Sequence, residues 1–304
     1  RVKKALEHRE PDRIPFDLGG TAVTGMHKDL YKKLRNHLNL PEKEIEIIDD
    51  IQQLAKIHED VIEKLNVDIK RVGPDAPENN KLGTDIKREE NYYSFKDEWG
   101  ITWKMPVDNG YYFDMRKHPL EDTDTIKGLE NYDWPNPLDE GRYQTMQDRV
   151  IKCVEEDKKG MVLGTISAGI FELALWLRGF DNFFMDLAMN KKFAEALLDK
   201  IMELKMKYWE RALKEAGDKV LVVSEADDIA TQEGLLISKE MYRNFIKPRH
   251  KKLFDFIREK AESKVYIFYH SCGAVREMIP DLIEEGIDIL NPVQISAEGM
   301  DLKE

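Results

Sequence analysis

The chain of 304 residues is 41% hydrophobic and 35% charged, and its formal net charge is −12. This excess of carboxylates repels a phosphate backbone and excludes nucleic acid as an expected partner. The two cysteines, Cys153 and Cys272, are too few for a disulfide framework. The sequence also has no run of the roughly 18 uncharged apolar residues that a membrane span requires. We therefore expect a globular cytoplasmic protein with no membrane partner.

The first half of the chain has an irregular pattern of short elements. Apolar runs and helical spacing predict, in chain order, a strand at Ile14–Asp17 that ends in a glycine turn, helices at 27–38 and 50–65, a strand at Val67–Val72 and a helix from about Glu140. Residues 90–115 alternate aromatic and polar side chains around Gly100, which predicts an antiparallel hairpin. We interpret residues 1–115 as an N-terminal helical extension with a β-hairpin insertion.

From residue 160 onward, short apolar runs alternate with long amphipathic segments. The runs predict buried strands at Met161–Ser167, Lys219–Ser224, Val265–Tyr269 and Ile287–Leu290. The intervening segments predict helices at 169–178, 181–189, 191–216, from a cap at Ser238 to about 261, and at 274–285 before Gly286. This alternation is typical of a parallel sheet with crossover helices.

Both a barrel and an open doubly wound sheet satisfy the alternation. The open nucleotide-binding form usually carries G-x-G-x-x-G after its first strand, and the sequence has no such run. We therefore predict an α/β fold, a (β/α)8 TIM barrel that forms a single domain over residues 1–304. Six strand patterns, near residues 14, 68, 161, 220, 265 and 287, leave two of the eight barrel strands unaccounted for. We expect the last strand and helix to lie outside this chain, and an open sheet is the alternative.

The sequence His270–Gly273 follows a predicted strand. One residue separates an imidazole from a thiol, a spacing that lets His270 and Cys272 converge on one ion, and these two donors suit zinc. Zinc takes about four ligands, so further ligands are needed. A carboxylate such as Glu225 is one candidate, and a cysteine beyond Glu304 is another. The alternative is that His270 bonds to substrate and Cys272 is a small buried residue.

Three carboxylates, Glu225, Asp227 and Asp228, follow the strand predicted at 219–224. In a parallel barrel the reacting groups come from the carboxyl ends of the strands, so these three and His270 are the predicted catalytic residues. Three buried carboxylates at this spacing would repel one another, which raises the pKa of one and suits it to act as an acid or base. The alternative is that one or two face solvent or cap the next helix.

Other polar residues follow predicted strands or begin the next helix. They are the predicted substrate-binding residues, namely Asp17, Ser167, Glu172, Asn291 and Gln294. The remaining histidines, His250 among them, have no partner pattern, and we interpret them as surface or structural residues.

Several segments, in order along nearly the whole chain, resemble the uroporphyrinogen decarboxylase superfamily. The similar segments are Arg1–His8, Pro11–Pro15, Glu172–Gly179, Ala226–Asp228, Thr231–Gly234, Ile237–Ser238, Met241–Tyr242, Lys247–Arg249, His270–Gly273, Gly286–Asp288 and Asn291–Gln294. The resemblance implies a TIM barrel with its active site at the carboxyl ends of the strands.

The superfamily divides into two branches by its chemistry. One branch decarboxylates uroporphyrinogen without a cofactor, and its arginine-rich N-terminal loop holds the propionates of the substrate. The corresponding loop here, Asp17–Gly25, has no arginine, so those carboxylates would stay unpaired in a closed cleft. The other branch transfers methyl groups to or from corrinoid proteins and binds zinc through a His-x-Cys pair and a distant cysteine. His270 and Cys272 match that pair, and the distant cysteine would lie past Glu304.

The leading hypothesis is therefore a methyltransferase that moves a methyl group between a corrinoid protein and a small thiol, folate or other methyl carrier, with zinc as cofactor. The second is a decarboxylase of porphyrinogen or another carboxylated substrate, in which Asp227 or Asp228 stabilises the protonated intermediate. The third is a non-catalytic binding protein on the same barrel. The enzyme hypotheses require His270, Cys272 and the acidic residues to face one mouth of the barrel.

Overall fold

The computed structural model describes residues 1–78 and 85–301. The α-helices in this part of the chain are α1 Val2–Leu6, α2 Lys28–His37, α3 Glu59–Lys64, α4 Ile126–Glu130, α5 Met146–Ile151, α6 Ile170–Arg178, α7 Phe180–Met189, α8 Lys191–Ala216, α9 Lys239–Met241, α10 Lys247–Lys260 and α11 Ile279–Glu285. The strands are β1 Ile47–Asp49, β2 Leu54–Ala55, β3 Ile69–Val72, β4 Lys87–Arg88, β5 Tyr92–Lys96, β6 Thr102–Pro106, β7 Asp114–Lys117, β8 Gly160–Gly164, β9 Val222–Ala226, β10 Tyr266–His270 and β11 Ile289–Asn291. Within these residues no helix combines the length and the hydrophobicity that a membrane span requires.

The chain forms two compact units. The first consists of Arg1–Val72, the described part of Asn79–Lys117, and Asp148–Val162. The second consists of Gly73–Glu78, His118–Gln147 and the described part of Leu163–Glu304. The assignment of residues 1–304 to one barrel domain stays a prediction.

The first unit contains an antiparallel sheet in the order β4-β5-β6-β7. β5 and β6 pair from Tyr92 with Pro106 to Lys96 with Thr102. Alternation along the strands turns apolar side chains to one face, where the buried rings of Phe95 and its cross-strand partner Trp103 stack at 6.5 Å. The hairpin predicted for residues 90–115 is therefore present, with an added strand on each side.

The strand predicted at Ile14–Asp17 is absent, and that prediction is wrong. Pro15 has no N–H to donate to a ladder. The N–H of Phe16 donates to the side chain of Asp68 at 2.8 Å instead of to a neighbouring strand. The segment is therefore held to Asp68 without forming a regular strand.

The helix predicted over residues 50–65 is also shorter than expected, because it is confined to Glu59–Lys64. The preceding residues 50–53 form a turn, and Leu54–Ala55 forms the short strand β2: the N–H of Ala55 donates to the carbonyl of Met26, and the carbonyl of Gln53 accepts from Lys28. These long-range backbone hydrogen bonds prevail over the local helical pattern. The spacing of apolar residues in a sequence reveals only the local pattern and not such long-range bonds.

The second unit is built on parallel strands, in the order β11-β10-β9. Their register pairs His270 with Ala226 on one side and with Asn291 on the other. Each of these residues is the last of its strand, so the three carboxyl ends lie side by side. Helices α9, α10 and α11 connect the strands, which confirms the predicted α/β class.

β9 begins three residues after the start of the strand predicted at Lys219–Ser224. Gly217–Lys219 forms a 3₁₀ turn that directly follows α8, and the strand starts only at Val222. Glu225 therefore lies inside β9, and the first residues after the strand are Asp227 and Asp228.

The helix predicted to begin after Ser238 is present but interrupted. The hydroxyl of Ser238 accepts the N–H of Met241 at 3.1 Å and caps the helix as predicted. A π-helical turn at Tyr242–Ile246 then separates α9 from α10. Pro248 has no N–H for the preceding turn, so the hydrogen-bond ladder changes register there.

Helix α8 lies at the centre of the second unit, where it contacts α4, α6, α7 and α10. One stripe of the helix is buried, with Leu197, Ile201, Tyr208 and Ala212 at helical spacing. Burial of a large apolar side chain contributes about 1.5–3 kcal/mol. Lys205 lies on the same stripe and is fully buried, so it requires polar partners.

Candidate metal centre

Three potential metal ligands meet at the carboxyl ends of β9 and β10. His270 is the last residue of β10 and Cys272 follows it by two positions, while Asp228 lies two positions after the end of β9. One ligand atom from each of the three lies within 4.8 Å of the others. All three side chains are half-buried, so an ion could enter and remain in contact with a substrate.

The spacing of the ligand atoms fits a tetrahedral ion. Nε2 of His270 is 3.4 Å from Sγ of Cys272 and 3.8 Å from Oδ1 of Asp228. In a tetrahedral zinc site, nitrogen and sulfur ligands lie about 3.6 Å apart, and nitrogen and oxygen ligands about 3.3 Å apart. Small side-chain adjustments would therefore bring the three atoms into coordination. Imidazole, thiolate and carboxylate together match the ligand preference of zinc.

The imidazole of His270 is oriented by the neighbouring strand. Its Nδ1 lies 2.7 Å from Oδ1 of Asn291, the residue opposite it in β11. An amide oxygen accepts, so Nδ1–H donates and the lone pair of Nε2 is directed toward Cys272. Such a second contact fixes the tautomer of a metal-binding histidine. Asn291, predicted to bind substrate, thus contacts the candidate ligand.

The loop that carries Cys272 is held on both sides. The N–H of Cys272 donates to Oδ1 of Asp228 at 2.8 Å, and the N–H of Gly273 donates to Oε1 of Gln294 at 2.8 Å. Gly273 has a φ of +93°, and a Cβ there would lie 2.3 Å from the carbonyl oxygen of Thr231. Only glycine fits this turn. Gln294, predicted to bind substrate, is part of the loop structure.

The centre has a negative potential. Burial, and then the carboxylates of Asp228 and Asp227, raise the pKa of Glu172 well above its ordinary value. Burial, and then Asp228 and Glu172, raise the pKa of the Cys272 thiol to about 11. Both shifts favour the neutral forms because negative charge accumulates in a partly desolvated site. A bound cation would reverse this preference.

Asp227 faces away from solvent and holds the start of α6. Its carboxylate oxygens accept the N–H groups of Phe171 at 2.8 Å and Glu172 at 2.5 Å. Nε2 of His250 lies 2.8 Å from the same carboxylate. A Cβ on Gly169 would lie 2.2 Å from Cγ of Asp227, so glycine permits this close approach. Asp227 therefore places Glu172 beside the triad.

Glu225 is buried, contacts Trp209 and Lys205 of α8 and Thr165 just after β8, and is not part of the triad. Oε1 accepts from Nε1 of Trp209 at 2.5 Å and from the hydroxyl of Thr165 at 3.1 Å. Oε2 forms an ion pair with Nζ of Lys205 at 3.0 Å. Its predicted catalytic role stays a prediction, while its contacts are those of a buried structural pair.

The two remaining predicted substrate-binding residues are Asp17 and Ser167. Asp17 belongs to the first unit, where its Oδ1 accepts the N–H of Gly20 at 2.8 Å and burial raises its pKa. Ser167 lies in the half-exposed bend between β8 and α6. Their roles in substrate binding stay predictions.

Neither His250 nor Lys205 was predicted to lie in the surroundings of the site. A usable signal existed, because each lies on the apolar stripe of its helix. His250 has the helical spacing of the buried residues Leu253, Phe254 and Ile257. A polar residue on such a stripe is buried, and therefore needs a partner from elsewhere in the chain.

The family model described as uroporphyrinogen decarboxylase (URO-D) matches residues 97–294, well over half of the chain. The chain belongs to the URO-D family. Asp228, His270 and Cys272 all lie within the matched residues. The URO-D fold is a TIM barrel, so both the predicted family and the predicted fold class are confirmed.

A solved structure, a methyltransferase from Methanosarcina mazei, has the same fold. It superposes with a TM-score of 0.56 at 17% sequence identity, over 95% of this chain and 74% of the methyltransferase. At this identity the likeness is one of fold. No curated protein matches the sequence.

Proposed function

We propose that this URO-D protein is a methyltransferase that moves a methyl group between a corrinoid protein and a small thiol, folate or other methyl carrier in the cytoplasm. The observation that carries the proposal is the triad of Asp228, His270 and Cys272 at the strand ends. These three side chains would hold zinc, which when bound lowers the pKa of a thiol and supplies a thiolate for methylation. The shared fold with a methyltransferase agrees with this class of reaction.

The surrounding residues have separate tasks in this proposal. Asn291 keeps the lone pair of His270 Nε2 available by accepting the Nδ1 proton. Cys272 has a pKa of about 11, so its thiol must lose a proton before it binds metal. Burial, and then the carboxylates of Asp228 and Asp227, raise the pKa of Glu172, and we assign to this carboxyl group the exchange of a proton with a thiol carrier. We assign structural roles to Glu225 and Asp227.

The electrostatics argue against the alternative of a decarboxylase. After burial, the carboxylates of Asp228 and Asp227 contribute to the raised pKa of Glu172, and they disfavour further negative charge at the centre. A substrate with several carboxylates would add to that repulsion, while a metal cation would relieve it.

Metal content is the first test. We expect about one zinc ion per chain in the purified protein and in Cys153→Ala, because Cys153 is buried in a separate π-helical turn. We expect Cys272→Ala to lose most of the zinc, as measured by elemental analysis after gel filtration. A wild-type protein that does not retain zinc, even after incubation with zinc chloride, would refute the zinc centre.

Methyl transfer is the second test. Methylcobalamin is the donor probe, with 2-mercaptoethanol and tetrahydrofolate as separate acceptors. The reaction forms an S–CH3 or N–CH3 bond, breaks the Co–CH3 bond and releases the acceptor proton, and the visible spectrum of the corrinoid follows it. Zinc-dependent turnover supports the proposal. A zinc-loaded protein that methylates neither acceptor but releases carbon dioxide from uroporphyrinogen would establish the decarboxylase instead.

A further inference from the structure

Behind the candidate metal centre, four buried polar side chains form a continuous hydrogen-bonded series, here called the buried chain: Asp227, His250, Glu285 and Tyr242. Nε2 of His250 contacts Asp227 at 2.8 Å, and its Nδ1 contacts Glu285 at 3.1 Å. The hydroxyl of Tyr242 donates to Glu285 at 2.8 Å. None of the four is more than 2% exposed, so none of them can touch a substrate.

The buried chain carries charge. Burial disfavours the imidazolium, yet the hydrogen bonds and charges of Asp227 and Glu285 raise the pKa of His250 to about 9. Both ring nitrogens therefore carry protons at neutral pH, and each donates to one carboxylate. Removal of a partner from such a buried network leaves an uncompensated charge, so each member strongly determines the position of the others.

Asp227 connects the buried chain to the centre. Its N–H donates to the carbonyl of His270 at 2.8 Å, and its own carbonyl accepts from the hydroxyl of Tyr269 at 3.2 Å. Its side chain accepts the N–H of Glu172, and its neighbour in sequence is Asp228. A displacement of Asp227 would therefore shift one ligand, the end of β10 and the first turn of α6 together.

We propose that His250 and Glu285 are positioning residues of the candidate metal centre. They hold the carboxylate of Asp227 in one orientation, and this fixes Asp228 and Glu172 relative to Cys272. The inference rests on the proposed function as far as the bound metal is concerned. A purely structural role would predict a loss of stability without a selective effect on the centre.

Glu285→Gln and His250→Gln are the test variants, and Asp281→Asn is the matched control. Asp281 is a buried carboxylate one turn earlier on α11, and it pairs with Arg243 and Lys247 instead of the buried chain. Zinc affinity is measured by competition with a chelator, and stability by thermal unfolding of the metal-free protein. We expect about tenfold weaker zinc binding in both test variants. Asp281→Asn, although destabilised, should bind zinc as the wild type does.

A comparison of two substitutions at His250 distinguishes a positioning role from a general loss of stability. Gln at position 250 retains an N–H where Nε2 of His250 donates to Asp227, and Leu does not. We therefore expect His250→Leu to bind zinc more weakly than His250→Gln. Equal zinc affinity in the two variants would contradict the role of that hydrogen bond.

A second readout needs no metal. In a Cys153→Ser background, iodoacetamide alkylates Cys272, whose half-buried Sγ lies 3.4 Å from Nε2 of His270 and whose N–H donates to Asp228 at 2.8 Å. If the test variants loosen these contacts, Cys272 becomes more accessible and its alkylation should become about threefold faster. The Asp281→Asn control should show the wild-type rate.

The outcomes separate the two proposals. A wild-type protein that binds zinc, with test variants that match it in both zinc affinity and alkylation rate, overturns the positioning role and leaves the proposed function standing. A wild-type protein that binds no zinc overturns the metal centre. In that case the alkylation rates decide the positioning role alone, and unchanged rates overturn it.

Discussion

Because His250 is charged in the folded protein, we expect the free energy of unfolding to depend on pH between about pH 6.5 and pH 9. The folded pKa is about 9, compared with about 6.5 in an unfolded chain. Below pH 6.5 the imidazole is protonated in both states, and its interactions with Asp227 and Glu285 contribute fully. As the pH rises, the unfolded chain loses this proton first, and the contribution disappears as the pH passes through about 9.

The size of the effect follows from the two pKa values. Between pH 7 and pH 9 the free energy of unfolding should fall by about 2 kcal/mol through this one group. The double variant His250→Gln/Glu285→Gln removes the titration of His250, and the N–H groups of Phe171 and Glu172 still bind the carboxylate of Asp227. Between pH 7 and pH 9, the free energy of unfolding of the double variant should therefore fall by about 2 kcal/mol less than that of the wild type.

Urea denaturation of both metal-free proteins at pH 6, 7, 8 and 9, followed by circular dichroism, measures the difference. The comparison cancels the titration of all groups that the two proteins share. Parallel pH profiles would refute the reasoning, because they would mean that His250 is neutral in the folded state.

Three further predictions concern contacts around the centre. Asn291→Leu should weaken zinc binding about 10- to 100-fold in a chelator competition, because the imidazole loses its oriented acceptor. Lys205→Met should lower the free energy of unfolding by about 3–5 kcal/mol in urea, and the double variant Lys205→Met/Glu225→Gln should recover most of that loss. Gly169→Ala should cost about 1–3 kcal/mol, because its Cβ would lie 2.0 Å from the carbonyl oxygen of Ala226 and 2.2 Å from Cγ of Asp227, whereas Gly234→Ala, whose Cβ would meet no atom within 4 Å, should be near neutral.

Features that depend on neighbouring residues could be predicted from the sequence. The strands near residues 265 and 287 are short apolar runs, and the cap at Ser238 and the glycine stop at Gly286 are local signals. The helix predicted at 191–216 is present as α8 with the same bounds, because its buried stripe repeats over many turns.

Features that depend on distant partners were predicted less well. The turn at 50–53 with the short strand Leu54–Ala55, and the absence of a strand at Ile14–Asp17, both result from hydrogen bonds to other segments. The later start of β9 had the larger consequence, because it places Glu225 within the strand and beside Lys205. Successive side chains of a strand point to opposite faces, so a small error in the limits of a strand changes which carboxylate faces the centre.

By itself the sequence determined two of the metal-binding side chains, because an imidazole and a thiol two positions apart can approach one ion wherever their loop lies. Only the tertiary structure decided which carboxylate joins them. Asp228 lies 44 residues before Cys272, and His250 lies 35 residues before Glu285. The parallel register of β9 and β10 and the packing of α10 against α11 bring these pairs together. Contacts between such distant residues depend on the packing of whole elements, which no local pattern of residues encodes.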